Sequence, residues 1–528
     1  MSPTSVHRAK RREEKTLVAS ALTNGPAELI DFILPLWAGI SLGVSATEVG
    51  MLVALEMAVS VLVRPLAGVL ADTRERKLVA ATGALLYGLA CCGYALADSI
   101  STAYVAAALS GVGGALLWVS VRAIVGERLA DDSGVYPRLM ASRETGTWVA
   151  FVSAMMLLNV IDFTGVFLGC AAACFAAAGV LALSPRRPMA RDAHGGADAA
   201  ATRFGGLGRR LRPMLVAVAV TMTAEGVVAM LLLLHLQRGF DLEVVEVAYV
   251  FLPGAIVMSV LPEYVHRLVV RYGRTRVLAS ASVASASFAA SLAWAPNPVV
   301  IAGLWILSGA AWAAVMPVQE AVIAEASGER TGRGMGLYEA AALVGGAVGA
   351  LAAGLLYDTS SWTTACLVAA VIILCGVVIM PRAVRVLGVQ NFPPPPPTAP
   401  SQPEPEPEPE PASQPLDADA DDDDRAEQAS GQPKSPRALL ADLGAHALLF
   451  TVAQIVLLFL DLSWIQDLLT TDDPVRLLLS GGSADHEKVA GLVYGTGRIW
   501  LFVLLIDAVV RAVQISRARR GTSETSGA

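Results

Sequence analysis

Twelve apolar stretches, each about the ~20 residues a helix needs to cross a bilayer, precede residue 388 and leave this chain little choice of fold. They run over 17–41, 46–70, 77–97, 101–126, 138–161, 164–183, 212–236, 245–269, 275–294, 298–324, 334–357 and 361–380. Inside lipid no water satisfies the backbone, so such stretches must be helices. Two more, 438–460 and 491–511, bring the expected spans to fourteen. The chain is 55% hydrophobic and 16% charged, where a soluble domain is nearer a quarter charged. One large soluble core is thereby excluded, and the expected class is an all-α polytopic membrane protein. A secretory signal is a poor reading of the N-terminus. The apolar run after Thr16 carries carboxylates and has no small-residue cleavage site.

Loop charges set the orientation, because basic residues favour the cytoplasmic side. Arg74, Arg76 and Lys77, Arg128 and Arg138, Arg186 to Arg212, Arg267 to Arg276, Arg330 and Arg333, and Arg382 and Arg385 all fall on one side of a twelve-span chain. Glu48, Asp98, Asp162, Asp241, Glu243, Glu246 and Asp358 fall on the other. The last two spans obey the same rule, so both termini are expected in the cytoplasm. The expected location is the plasma (cytoplasmic) membrane of a bacterial cell, with a multi-pass topology.

The chain also repeats itself. "LSGVGGALLWVSVRAIVGE" (109–127) aligns with "LSGAAWAAVMPVQEAVIAE" (307–325) at an offset of 198, as does "SATEVGML" (45–52) with "EVVEVAYV" (243–250). "RLMASRE" (138–144) meets "RGMGLYE" (333–339) after a three-residue deletion. Spans 1–6 and 7–12 are therefore two similar halves in parallel topology, which is a transporter architecture. The expected organisation is a basic cytoplasmic N-terminus (1–16), a six-helix half (17–185), a central loop (186–211), a second six-helix half (212–387), a linker (388–436) and an accessory two-helix membrane region (437–528). The linker holds "PPPPP", "PEPEPEPEPEP" and Asp421 to Asp424. It cannot pack a core and is read as extended and disordered.

Two six-span halves joined by a basic loop resemble the major facilitator superfamily over about residues 15–385. That family carries G-x-x-x-D-R-x-G-R-R after its second span. Here the stretch is "GVLADTRERK": Gly68, Asp72, Arg76 and Lys77 match, while Thr73 and Glu75 depart. The stretch after span 8, "HRLVVRYGRT", keeps Arg271, Gly273 and Arg274. The resemblance implies an MFS-like 6+6 pseudo-symmetric bundle with two extra helices. It also implies that Asp72 meets the N-terminus of span 11 and holds the cytoplasmic side shut, with Gly68 allowing close packing and Arg76 and Lys77 as loop partners. A carboxylate at a helix N-terminus is favourable. Two antiporter patterns of the family are absent: Ala107 stands four residues before Gly111 where efflux members often carry arginine, and span 5 has no glycine–proline pair.

The apolar spans contain carboxylates that cost ~2.5–3.5 kcal/mol each at mid-membrane. Glu28 and Asp31 are three residues apart, on one helical face near the middle of span 1. Aligning "PAELI" with "TAEGV" pairs Glu28 with Glu225, at mid-depth in span 7. In the family, spans 1, 4, 7 and 10 line the central cavity. Glu28, Asp31 and Glu225, with Glu56 of span 2, are thus candidates to hold a proton, to attract a cationic substrate, or both. Trp118 and Trp312, in spans 4 and 10, could give a cation an aromatic face; core packing is the alternative. Nearer the basic side, Arg122 aligns with Glu320, and Glu144 with Glu339. An Arg122–Glu320 pair across the halves would form a gate with Glu144 and Glu339; snorkelling side chains are the alternative.

No catalytic constellation, phosphate loop or metal-ligand spacing is present. The chain is read as no enzyme, with no cofactor and no metal, and a proton gradient as its coupling ion. The leading function is secondary active transport by alternating access: antiport that couples protons to efflux of a small amphipathic or cationic compound. The alternative is a transport-incompetent scaffold or sensor, acting through a protein partner of residues 437–528. Expected partners are a small-molecule substrate and the lipid bilayer, with no nucleic acid.

Overall fold

The computed structural model describes residues 3–186, 204–242, 244–393 and 436–459, and singly residues 464, 465, 468, 501, 504, 508 and 511. Among them every regular element is helical. The chain forms two compact units, Met1–Pro397 and Thr398–Ala528.

The first unit begins with α1 (Pro3–Ser41), α2 (Ala46–Thr73), α3 (Arg76–Leu96), α4 (Ile100–Val125) and α5 (Val135–Ala182). Asp162, at φ 55°, breaks α5 into the two segments read from sequence as spans 5 and 6. The second half follows as α6 (Phe204–Arg238), α7 (Val244–Val260), α8 (Pro262–Tyr272), α9 (Arg274–Ser291), α10 (Pro298–Ser327), α11 (Thr331–Thr359) and α12 (Trp362–Val386). Side-chain caps start α2 at Ser45, α4 at Ser99, α10 at Asn297 and α12 at Ser361, each accepting a bond from a first-turn N–H. These are even-numbered spans, so the chain re-enters with a polar cap at the same end of the bundle each time.

Nine stretches among the described residues are long and apolar enough to cross a membrane; one of them, Pro298–Tyr357, takes in α10 and most of α11. The expected fifth span lies within α5 but is not among the nine, and the expected eighth, 245–269, is not continuous. Pro262 has no N–H to offer the i→i−4 ladder, so the chain stops α7 at Val260 and restarts as α8 with the proline in its first turn. The N-terminal basic segment is not a separate tail either: α1 runs through it without a break. The expected central loop is shortened, since α6 begins at Phe204.

In the second unit, α13 (Pro436–Phe459) coincides with the expected thirteenth span. Most of the linker and of the expected fourteenth span lies outside the described residues.

Apolar packing in the first unit divides in three. One core combines both halves at the end where α2 meets α3, with Leu117, Tyr136, Leu211, Val265 and Tyr338 fully or nearly buried. Toward the other end each half has its own: Trp37, Tyr94 and Phe167 in the first, Leu232, Phe288 and Ile301 in the second. The halves are thus tied at one end and packed separately at the other. Small residues set the tightest crossings. A Cβ on Gly68 would lie 2.7 Å from the Gly332 carbonyl oxygen and one on Gly336 2.6 Å from that of Arg64, so α2 and α11 touch backbone to backbone. The glycine run 345–354 packs α11 on α6 in the same way: a Cβ on Gly226 would lie 2.7 Å from the Gly346 carbonyl oxygen.

Candidate functional site

The tied end is a seam of buried charge. Asp72, one residue before the end of α2, accepts bonds from the N–H groups of Gly332 (2.7 Å) and Arg333 (3.0 Å), the first turn of α11. Those N–H groups have no partner within their own helix, and the dipole there favours an anion. Arg122 of α4 donates from Nε to Glu320 of α10 at 2.7 Å, with side-chain accessibilities of only 4% and 3%. The same guanidinium pairs with Glu339 of α11, and Glu339 pairs in turn with Arg64 of α2. The seam therefore runs Glu320–Arg122–Glu339–Arg64 and crosses between the halves at each link.

Flanking pairs stay within one half and obey the duplication. Arg76 Nη1 meets Glu127 at 3.2 Å and the Ala123 carbonyl at 2.9 Å, joining α3 to the end of α4. At the 198-residue offset Arg274 pairs with Glu325. Lys77 donates to the carbonyls of Ala182 (3.0 Å) and Ser184, a cation at the C-terminus of α5. Arg12 of α1 binds Glu75 at 2.8 Å and Glu127 at 3.1 Å, and Glu13 holds Arg128 and Arg138. In the loop before α5, burial works against the Asp132 carboxylate, but bonds from Arg138 and the Gly134 N–H outweigh it and hold its pKa below the usual range.

Deeper in the bundle lies a second group. Glu28 and Asp31 are exposed although Leu29, Ile30, Ile33 and Leu34 around them on α1 are buried. Asp31 interacts electrostatically with Glu28 and with Glu56 of α2, and Glu225 of α6 with Glu28 and with Glu144 of α5. Charges from α1, α2, α5 and α6 converge on one interior space, so that exposure is to a cavity between helices. Glu56 accepts a bond from Ser110 of α4. Arg143 of α5 borders the same space; its Nε donates to Asn24 at 2.9 Å. Its guanidinium also lies 5.3 Å from the centre of the Trp118 ring. The ring face expected to receive a cationic ligand is therefore occupied by an internal cation. Trp312 and Glu225 line a cavity of about 40 Å³ between α6, α9, α10 and α12.

The sequence-derived residues thus sort into two places. Gly68, Asp72, Arg76, Lys77, Arg122, Glu320 and Glu339 lie at the seam and its flank; Glu28, Asp31, Glu56 and Glu225 lie deeper. Glu144 departs from its expected neighbours at the seam and faces Glu28, Arg143 and Glu225 instead. The duplication supplies the reason. Glu339 finds Arg64, whose equivalent 198 residues on is Pro262 at the α7–α8 break, so Glu144 has no matching guanidinium. Sequence reasoning missed Arg64 and Arg143. The signal was present, since an arginine inside an apolar stretch is as costly as a carboxylate there, and both positions lie within expected spans.

Two pseudo-symmetric six-helix halves, a charged seam between them and titratable groups at mid-depth define a transporter-type membrane bundle. The Major Facilitator Superfamily profile matches residues 16–268 and 264–483, and the chain belongs to that family. Its members are transporters, and membrane transport of a small molecule is the activity class of this chain. The fold is similar to that of the transporter FucP in the outward conformation, with a TM-score of 0.59 and 16% identity, covering 70% of this chain and 98% of that one. It is also similar to the human organic anion transporter MFSD10 (TETRAN), with a TM-score of 0.57 and 16% identity, covering 72% and 100%. No curated protein matches the chain in sequence.

Proposed function

We propose that this chain is a proton-coupled antiporter of the cytoplasmic membrane that exports a small cationic or amphipathic compound by alternating access. The observation that carries the reading is the convergence of Glu28, Asp31, Glu56, Glu144 and Glu225, from both halves, on one interior space. Close carboxylates in a low-dielectric cleft can share a proton and release it when a cation arrives. The interior holds more carboxylates than guanidinium groups, since Arg64 and Arg122 are engaged by Glu339 and Glu320. That balance favours a cationic substrate over an anionic one. The seam would be the gate: rocking the halves requires the Asp72–α11 bonds and the Arg122 pairs to break and re-form. The loop-charge bias supports placing the seam, both termini and the Arg76 loop on the cytoplasmic side.

The test uses everted membrane vesicles holding a proton gradient. A panel of lipophilic cations and neutral amphiphiles is added, and wild type is compared with Glu28→Gln. The reading expects at least one compound to discharge the gradient in wild type and not in the variant. Discharge by no compound, or equally in both proteins, contradicts it. Removing residues 388–528 should leave the discharge intact, whereas a scaffold acting through that region would lose its function.

A further inference from the structure

The two halves share one framework but fill it differently around Glu225. At the 198-residue offset, Phe288, Trp305 and Trp312 stand where the first half has Ala90, Ala107 and Gly114. Ser285 stands where it has Tyr87, and Gly254 where it has Glu56. In the first half Tyr87 is buried, and its ring closes over Gly114, whose Cβ would lie 3.7 Å from Cε2. In the second half the serine leaves space, and the cavity of about 40 Å³ opens there. Glu225, Thr221, Ser282 and Ser285 are in its wall, with Trp305 and Trp312.

Two hydroxyls of this wall are fixed as acceptors, while Ser285 and Ser308 can turn either way and the indoles of Trp305 and Trp312 carry N–H donors. Thr221 Oγ1 donates its proton to the Ala217 carbonyl at 2.7 Å, and Ser282 Oγ donates to the Leu278 carbonyl at 2.9 Å. A hydroxyl has a single proton to give, so toward the cavity these oxygens can only accept. Among the described residues, no cation or donor lies within bonding distance of Glu225. Two fixed acceptors beside an unpaired carboxylate favour a cation that carries its own N–H groups. A primary ammonium, with three donors, meets that demand; a quaternary ammonium offers none, and an anion is repelled. A free volume of about 40 Å³ holds roughly two or three water-sized groups, enough for an ammonium head and a methylene. The rest of such a ligand would lie along Trp305 and Trp312, whose faces favour both apolar groups and cations.

We propose that Glu225, with the Thr221 and Ser282 oxygens of this cavity, forms a recognition subsite for the primary ammonium group of an amphipathic amine, while Glu28, Asp31 and Glu56 of the first half carry the coupling proton. The proposal rests on the reading of the chain as a cation transporter and assigns its two tasks to different halves.

The test is calorimetric titration of the full chain in lipid nanodiscs with phenethylamine and with its N,N,N-trimethyl analogue. Wild type should bind the primary amine at least ~10-fold more tightly, the effect of losing charge-assisted hydrogen bonds. Glu225→Gln should weaken the primary amine by ~10-fold or more, and Asp31→Asn by less than ~3-fold. Thr221→Val nearly preserves shape and removes one acceptor. It should weaken the primary amine ~3–10-fold and leave the trimethyl analogue unchanged, which a misfolded variant could not do. Equal affinity for the two amines, or a Thr221→Val effect on both alike, overturns the subsite, as does unchanged binding in Glu225→Gln. If other compounds discharge the proton gradient but phenethylamine fails to bind at millimolar concentration, the subsite alone falls. If the amine binds as stated but no compound moves protons, the coupling reading alone falls.

Discussion

The two six-helix halves descend from one pattern, yet they hold polar groups in different ways. The first half puts acids next to one another: Glu28, Asp31 and Glu56 interact on α1 and α2. At the positions equivalent to Glu28 and Glu56 the second half keeps Glu225 and replaces the other with Gly254, against which Trp305 packs. One copy has been filled with titratable groups and the other opened into an aromatic-walled cavity. A duplicated bundle can diverge in this way because the framework depends on backbone crossings and flanking pairs such as Arg76–Glu127 and Arg274–Glu325, which both halves retain. The interior side chains are then free to differ.

Substitutions that cut the seam should break this picture most severely. Arg122→Ala leaves Glu320 and Glu339 buried without a shared cation, at a cost of ~3–5 kcal/mol to the tied end. Thermal unfolding in detergent should show the loss. A cysteine placed beside Glu339 should also become reactive to a water-soluble thiol reagent. Arg274→Ala removes a pair within one half whose carboxylate is 31% accessible. Its expected loss is ~1.5–3 kcal/mol, with no change in that reactivity. Equal effects would show that the seam is not distinct from its flanks.

A smaller effect is expected at the α2–α11 crossing. Gly68→Ala pushes a methyl group against the Gly332 carbonyl, 2.7 Å from where its Cβ must sit. Overpacking of this kind costs ~1–3 kcal/mol. The equivalent position in the second half is His266, which already carries a side chain and touches Ser133 at 3.0 Å. His266→Ala exchanges a single hydrogen bond for space and should cost ~0.5–1.5 kcal/mol, so the ratio of the two melting shifts measures how unequal the crossings are.

The all-helical membrane class, the two halves and their offset were legible in the sequence, because apolar length announces a membrane helix and alignment a duplication. The Arg122–Glu320 contact was legible for the same reason: opposite charges at equivalent positions of the two halves meet near their pseudo-symmetry axis. Arg143 against Trp118 was not. Its partners Asn24 and Trp118 lie on α1 and α4, and only packing of those helices against α5 brings them together. The break at Pro262 was written in the chain but falls inside a stretch, 245–269, long enough to read as one span. The acceptor character of Thr221 and Ser282 could not be read at all without the bonds to their own helices.

The central claim is that the halves divide the work, and exchange transport tests it most directly. Proteoliposomes loaded with unlabelled phenethylamine are diluted into labelled phenethylamine without a pH gradient, and then assayed with one. Asp31→Asn should retain exchange and lose gradient-driven accumulation, whereas Glu225→Gln should lose both. Full exchange by Glu225→Gln, or loss of exchange in Asp31→Asn with its binding intact, would contradict the account.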